Sequence, residues 1–254
     1  MKLALMSDIH ANSHALDACL AHAAGVGAER IALLGDLVGY GGDPAKVVER
    51  VMALSDQGAI VLQGNHDLLA VAPPGKVVHR GDEGAQWTHE QLSPAQREFL
   101  ARLPLTHRQD TVLLVHASAD APSQWRYVNS EHAAGASLDS AVLPPHGHAD
   151  VRHVFGGHVH HQTLYYRGAG RHLMPFKPTA GIPVPTPRHR SWIATVGSVG
   201  QPRDGSTSAM YAVFDTGAMQ LTFFRVAYDH HGAAARIREA GLPEDYARLL
   251  EGVR

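Results

Sequence analysis

The chain has 254 residues, of which 44% are hydrophobic and 18% are charged, so it can bury a sizeable core and lies far from the composition of disordered proteins. The formal net charge of -2 at pH 7 gives no basic surface of the kind that drives sequence-independent binding of long nucleic acids. This length predicts one domain over residues 1–254.

The first half of the chain alternates short apolar runs with helical patterns. Apolar runs at residues 3–6, 31–34 and 59–62 predict buried strands, and patterns at residues 13–24 and 43–54 predict helices between them. Cys19, the only cysteine, lies in the first helix, which excludes a disulfide framework and indicates a buried core thiol. Strand and helix alternation favours a sheet covered by helices.

The second half continues with more strands. Residues 72–91 are less regular and are interpreted as a lid or an insertion, and residues 168–189, rich in Pro and Gly, as a long connection. The predicted fold is α/β, with two mixed β-sheets packed as a sandwich and flanked by helices. The remaining predicted strands are 111–115, 151–155, 163–166, 191–196, 210–214 and 221–226, and the remaining helices are 93–103 and 232–250, the last broken at 241–243.

The amino terminus meets Asp8 too early for a secretory signal. No stretch approaches the roughly 20 apolar residues that cross a bilayer. We therefore expect a cytoplasmic location and no membrane partner.

Five predicted strands end in polar residues that can bind metals. Ligands collect at the carboxyl ends of strands in such sheets, so these side chains are expected to meet. Nitrogen and oxygen ligands suit Mn, Fe or Zn, and seven ligands are too many for one ion. Two ions sharing a carboxylate would suit attack of water on phosphorus. The seven residues are Asp8, His10, Asp36, Asn65, His116, His158 and His160.

Taken in order, the motifs Asp8-x-His10, Gly35-Asp36, Gly64-Asn65-His66-Asp67, His116 and Gly157-His158-Val159-His160 resemble those of the calcineurin-like metallophosphoesterases. Residues 197–203 are similar to a Gly-Ser loop of small bacterial members. The resemblance implies a four-layer fold and two divalent ions. One ion would be held by Asp8, His10, Asp36 and His160, and the other by Asp36, Asn65, His116 and His158.

The same resemblance implies that His66 faces the substrate, where it stabilises the transition state or protonates the leaving oxygen. Asp67 is interpreted as an orienting residue or a helix N-cap. Asn12, Tyr40 and Arg203 are candidates for contact with the substrate phosphate or leaving group, against the alternatives of a turn amide, a packed phenol and a surface charge.

Two departures from the family pattern bear on these expectations. Residues 35–41 lack the Asp-Arg pair that marks protein Ser/Thr phosphatases and symmetric dinucleoside tetraphosphatases. Ala117 follows His116 where glycine is common, which matters only if that turn needs a positive φ.

The predicted activity is hydrolysis of a small phosphate mono- or diester, such as a nucleotide. An enzymatic alternative is asymmetric cleavage of a dinucleoside polyphosphate. An alternative of another class is a non-catalytic metallophosphoesterase-like binding module, which loss of ligands or of the motif histidine would favour. The ligand set and His66 are both present. The sequence leaves the oligomeric state open.

Overall fold

The computed structural model describes residues 1–76, 82, 84–168, 170 and 172–253. The helices of this part are α1 (Ser13–Gly25), α2 (Pro44–Asp56), α3 (Asn65–Val71), α4 (Ala85–Gln91), α5 (Pro94–Ala101), α6 (Glu131–Ala141), α7 (His230–Glu239) and α8 (Glu244–Leu250). The strands are β1 (Lys2–Met6), β2 (Arg30–Leu33), β3 (Ile60–Val61), β4 (Thr106–Gln109), β5 (Val112–Val115), β6 (His153–Gly156), β7 (Gln162–Arg167), β8 (Leu173–Phe176), β9 (Val184–Pro185), β10 (Ser191–Val196), β11 (Ala209–Asp215) and β12 (Gln220–Val226).

These strands form two six-stranded mixed sheets. The first has the order β3-β2-β1-β11-β12-β9, and the second has the order β4-β5-β6-β10-β7-β8. In the first sheet β1, β2 and β3 are parallel, and in the second β5, β6 and β10 are parallel. Parallel strands carry the loops that follow them to one edge of each sheet, and every predicted ligand lies in such a loop or, for Asn65, at the start of the helix that follows it.

The core lies mainly between the two sheets and under the helices. Along β1, Leu3 and Leu5 join the apolar cluster between the sheets, whereas Ala4 and Met6 join the cluster beneath α1 and α2. This alternation is the period of two expected of a strand buried on both faces. On the far side, Leu138 of α6 packs against the second sheet. The helix, sheet, sheet, helix order confirms the predicted α/β sandwich.

The carboxyl-terminal helices form a small layer of their own. Ile237 of α7 and Tyr246 of α8 belong to one buried cluster, and α7 also lies against α1. Tyr40, from the loop after β2, packs on this cluster, so the two helices border the strand ends. Within the described part of the chain, no helix combines the length and the hydropathy needed to cross a bilayer.

The structure differs from the predicted elements where strands lie at sheet edges. Residues 168–189, expected as a connection, contain β8 and β9, each the outermost strand of its sheet. Both contain proline, which an edge strand tolerates because one side of its backbone needs no partner. Of residues 72–91, residues 85–91 form α4; residues 77–81 and 83 of the suggested lid or insertion lie outside the described residues.

Candidate active site

Six buried side chains form two clusters at the carboxyl ends of the parallel strands. Within each cluster the potential ligand atoms lie within 4.8 Å of one another, close enough to hold one metal ion. The loops after β1, β2, β5 and β6 supply all six. The clusters are Asp8, His10 and His160, and Asp36, His116 and His158.

The backbone of these loops is left-handed at several non-glycine residues. Asp8, His10, Asp36, His158 and His160 have φ values between 47° and 67°, a region that L-residues rarely adopt. Because β1 ends at Met6, an extended backbone does not align Asp8 with His10. Left-handed turns, which residue spacing does not reveal, bring the two side chains together.

Two motif glycines allow these loops to touch. A Cβ atom at Gly64 would overlap the backbone nitrogen and carboxylate of Asp36, and one at Gly157 would overlap Ser7 Oγ and Asp8 Oδ2. The glycines before Asn65 and His158 are thus required by close contact between two loops. Ala117, where the family often has glycine, lies outside the positive-φ region, so its turn accepts a side chain.

Main-chain carbonyls fix the orientation of three histidine rings. Because a carbonyl only accepts, each Nδ1 carries a proton, so the neutral form of each ring presents an unprotonated Nε2 to the clusters. The Nε2 atoms of His10 and His160 face each other at 3.0 Å. The Nδ1 donors and their acceptors are His10 to Val38 O at 3.1 Å, His116 to Leu34 O at 2.8 Å and His160 to Gln201 O at 2.6 Å.

Two more polar atoms of the clusters lack partners. His116 Nε2 and His158 Nε2 are buried and make no hydrogen bond, and Asn65 Oδ1 is likewise buried without one. A buried polar atom without a partner costs on the order of 1–3 kcal/mol, so unsatisfied acceptors that share one place call for a ligand. These atoms and the facing Nε2 lone pairs of His10 and His160 form a set of acceptors that a bound cation would satisfy.

The charge balance agrees with this interpretation. Burial opposes ionisation of Asp8, but His160, whose Nε2 lies 3.3 Å from Asp8 Oδ1, holds the pKa of Asp8 below its usual range. Burial likewise opposes protonation of His116, yet the Asp36 carboxylate, 3.4 Å away, raises the pKa of His116 to about 9. Both shifts reflect the attraction between the buried carboxylates and positive charge.

His66 lies beside the clusters without joining either. It belongs to α3 and is buried, and its ring centroid lies 5.1 Å from that of His10 and 4.5 Å from that of Tyr40. Burial lowers the pKa of His66, although Asp36 opposes the shift. The uncharged ring therefore predominates at neutral pH.

Asp67 is not the N-cap of α3, because Gly64 occupies that position. Its Oδ2 accepts from Gly64 N at 2.8 Å, and its Oδ1 accepts from Leu37 N at 2.8 Å and Val38 N at 3.3 Å. Asp67 thus ties the loop that carries Asp36 to the loop that carries Asn65.

The three candidate substrate contacts differ in their surroundings. Asn12 caps α1 by accepting from Ala15 N, and its amide donates to Gly200 O and to the Tyr228 hydroxyl. These contacts favour the structural interpretation of Asn12. Tyr40 and Arg203 instead lie together at the border of the site, with the Arg203 guanidinium carbon 5.8 Å from the centre of the Tyr40 ring.

Some residues at the site carry no sequence signal. The ring of Trp125 lies 5.8 Å from that of His116, and the ring of Tyr127 stacks on that of His158 at 4.1 Å. Both belong to the loop between β5 and α6, where an aromatic side chain has no recognisable pattern. Gln201 acts through its backbone carbonyl, which any residue supplies.

Comparisons with known proteins agree with this geometry. The chain is 31% identical to a metallophosphoesterase of Sphaerobacter thermophilus, whose crystal structure matches with a TM-score of 0.85 over 100% of this chain and 99% of that one. It is 29% identical over 249 residues to an uncharacterized protein of Methanocaldococcus jannaschii, covering 95% and 94% of the two chains.

A more local similarity is to the symmetrical bis(5'-nucleosyl)-tetraphosphatase of Chromohalobacter salexigens, at 36% identity over 109 residues, or 42% of this chain and 40% of that one. The model of the calcineurin-like phosphoesterase superfamily domain matches residues 1–219. The two buried Asp/His clusters fit the dinuclear metal site of that family. The chain therefore belongs to the calcineurin-like phosphoesterase superfamily, a family of phosphoric ester hydrolases.

Proposed function

We propose that this protein is a dinuclear-metal-dependent phosphoesterase that hydrolyses a small phosphate mono- or diester. The opposed lone pairs of His10 and His160, 3.0 Å apart, carry the proposal. Two neutral imidazoles in this orientation repel unless a proton or a cation lies between them. The ligand chemistry favours Mn, Fe or Zn.

The proposed ligand sets share Asp36. Its Oδ2 lies 3.8 Å from His10 Nε2 and 3.4 Å from His116 Nε2, so one carboxylate oxygen reaches toward both clusters. Asp36 would bridge the ions, as two-metal sites require. The first ion would be held by Asp8, His10, Asp36 and His160, and the second by Asp36, Asn65, His116 and His158.

When bound, the two ions would supply Lewis acidity that activates the attacking water and neutralises charge on the phosphate oxygens. His66 would contact the substrate beside His10. Its main-chain N–H donates to Asp36 Oδ1 at 2.8 Å, which fixes its position relative to the bridging carboxylate. Because burial favours the neutral ring, we assign His66 a hydrogen bond to the transition state in preference to donation of a full proton.

Arg203 and Tyr40 would bind the substrate next to His66. Arg203 donates to Gln201 Oε1 at 3.2 Å, and the backbone carbonyl of Gln201 orients the His160 ring. The guanidinium is thereby linked to the metal cluster, and its fork suits phosphate oxygens. Asn12 is left out of this proposal because its hydrogen bonds serve the fold.

The proposed substrate is a small molecule such as a nucleotide, in a cytoplasmic setting. Asymmetric cleavage of a dinucleoside polyphosphate is a second candidate. The local similarity to a symmetrical bis(5'-nucleosyl)-tetraphosphatase supports this class of substrate but not the position of cleavage. Symmetric cleavage is disfavoured because residues 35–41 lack the Asp-Arg pair of the symmetric dinucleoside tetraphosphatases.

Metal content and turnover test the proposal together. Protein purified without chelator should contain about two transition-metal ions per chain. It should also hydrolyse p-nitrophenyl phosphate or bis-p-nitrophenyl phosphate when Mn is added. Diadenosine tetraphosphate is the third substrate, and product analysis distinguishes asymmetric from symmetric cleavage. Full metal content without turnover of any ester would favour the non-catalytic module.

Two variants separate the proposed roles. Asp36→Asn should lose metal and reduce kcat/KM by more than about 100-fold, because it removes the shared ligand. His66→Ala should keep its metal while kcat falls by about 100-fold, because the variant loses a hydrogen bond to the transition state. His132→Ala, an exposed histidine on α6, is the matched control and should match the wild type. A fully active His66→Ala enzyme on a poor leaving group would refute the role of His66.

A further inference from the structure

The segment between β5 and α6 folds back over the second metal cluster. Its backbone is left-handed at Ala121 and Trp125, with φ values of 50° and 51°. Val128 anchors it, since that side chain is buried in the cluster beneath α6. An ion pair between Arg126 and Asp120 closes the loop. The segment therefore holds its aromatic side chains in defined positions.

Tyr127 stands out among these side chains because it is both constrained and exposed. One face of its ring stacks on His158, with 4.1 Å between ring centroids and 27° between the planes. Even so, the residue is 50% exposed. Since His158 covers one face, the accessible surface of Tyr127 is mainly the opposite face. Exposure of this apolar face to water costs free energy, and the face is available for stacking by a planar group.

A groove begins at this ring and leads away from the metal clusters. Its volume is about 580 Å³, and it runs toward the hairpin formed by β7 and β8. Val159, which lies between two proposed ligands, lines the near end, while Phe176 and Lys177 line the far end. Phe176 is 43% exposed, so the groove contains a second accessible aromatic ring.

The opposite side of the site has a different character. There a cleft of about 480 Å³ is lined by Arg203 and Arg248, whose cations suit phosphate groups, and also by the carboxylate of Asp245. The groove at Tyr127 is lined by three aromatic residues, by Lys177 and by polar side chains of β7, and its aromatic surface suits a flat organic group. The two sides of the metal centre thus differ in the part of a substrate that each can bind.

We propose that Tyr127 is a specificity-determining residue, and that its groove binds a planar aromatic group of the ester, such as a nucleobase. The aromatic group stacks on the free face of Tyr127 while the phosphate lies at the metal clusters. This inference rests on the proposed phosphoesterase function. It narrows the substrate class from small phosphate esters to esters that carry an aromatic ring within reach of His158.

Pairs of substrates that differ only in the aromatic group test this inference. Adenosine 5'-monophosphate and ribose 5-phosphate form such a pair for a monoesterase. The methyl ester of adenosine 5'-monophosphate and the methyl ester of ribose 5-phosphate form one for a diesterase. Tyr127→Ala should raise KM about tenfold for the aromatic member of the pair, while KM for the other member stays within about twofold. Tyr127→Phe should resemble the wild type, because stacking needs only the ring.

Leu143→Ala, which removes another exposed apolar side chain, is the control. Metal content is measured for every variant, because Tyr127 also contacts a proposed ligand. Equal effects of Tyr127→Ala on both members of a pair, or no effect on either, would overturn the inference.

Calorimetric binding of adenosine to the metal-loaded protein tests the groove without turnover: we expect binding that Tyr127→Ala weakens about tenfold. If the wild type binds adenosine but hydrolyses no ester, the proposed function fails and the aromatic subsite stands.

Discussion

His153 and His158 lie at the two ends of β6 and share most of the properties by which a functional histidine is recognised. Both are buried, at 0% and 6% exposed, and burial lowers the pKa of each to about 4. Each also has one ring nitrogen without a hydrogen-bond partner. By burial, pKa and hydrogen bonding alone, the two residues are nearly indistinguishable.

Their neighbours separate them. Around His158 lie Asp8, whose carboxylate accepts its backbone N–H, and His116, with 5.0 Å between the two rings. His153 instead contacts Phe214, at 4.9 Å between ring centroids, and donates from Nε2 to Thr186 O. Among the described residues, His153 belongs to no group of three potential ligands. A functional site is therefore distinguished from the hydrophobic core by several polar groups without hydrogen-bond partners that lie together. The burial, pKa or hydrogen bonding of a single residue does not distinguish the two.

The largest expected loss of activity comes from a substitution that moves the ligand side chains apart without replacing any of them. Gly157→Ala adds a Cβ that would overlap Ser7 Oγ and Asp8 Oδ2, so it should displace the Asp8 carboxylate. We expect loss of metal and a decrease in kcat/KM of about 100-fold, the upper range for losing a group that orients a ligand. Metal analysis and steady-state kinetics measure both.

Gly25→Ala is the matched control, because no atom lies within 4 Å of the added Cβ and its φ is not positive. It should leave metal content and activity unchanged. A Gly157→Ala protein that is as active as the Gly25→Ala protein would show that the two loops tolerate separation, and that their close contact is not needed for the site.

A smaller effect is expected at the other end of β6. The pKa of His153 is lowered on folding, so at acidic pH the unfolded chain binds a proton that the folded protein does not. The stability that the neutral ring of His153 provides is therefore lost as the pH falls below the ordinary histidine pKa of 6.5 toward the folded value of about 4. Between about pH 7 and about pH 5 the loss should be about 2 kcal/mol.

His153→Gln removes this titration and can keep an amide donor for Thr186 O. Urea unfolding in the presence of chelator should show the stability curve of this variant approaching that of the wild type as the pH falls. The exposed His132→Gln variant should run parallel to the wild type. Parallel curves for His153→Gln would mean that His153 does not contribute to acid sensitivity.

The same contrast explains what could be predicted from the sequence. The alternation of buried strands and helices identifies the sandwich, and β10 begins and ends where its apolar run predicts, at Ser191 and Val196. The edge strands β8 and β9 were missed because their exposed, proline-containing segments bury little on either face. Hydrophobic periodicity reports burial, so it weakens where a strand has one neighbour.

At the site, the sequence predicts which residues come together, but it does not predict the backbone turns that bring them together. Asp8 and His10 meet through left-handed turns that a strand-based argument did not anticipate, and His160 lies in a similar turn rather than in a strand. Trp125 and Tyr127 could not be predicted, because their positions depend on how the loop after β5 packs.

Cys19 provides the smallest expected effect and the last test of the contrast. It is buried at 0% exposed, and burial raises the pKa of its thiol to about 12. At a pH near 8 only about one thiol in 10,000 is then ionised, so the native protein should not react with a thiol reagent, whereas the unfolded chain should react at once.

Cys19→Ala should keep its metal and its kcat/KM within about twofold and lose about 1 kcal/mol of stability, because it only opens a small space beneath α1. A large loss of activity in this variant would show that a buried titratable group outside the ligand clusters affects catalysis. That result would contradict the conclusion from His153 and His158 that only groups gathered at the clusters do so.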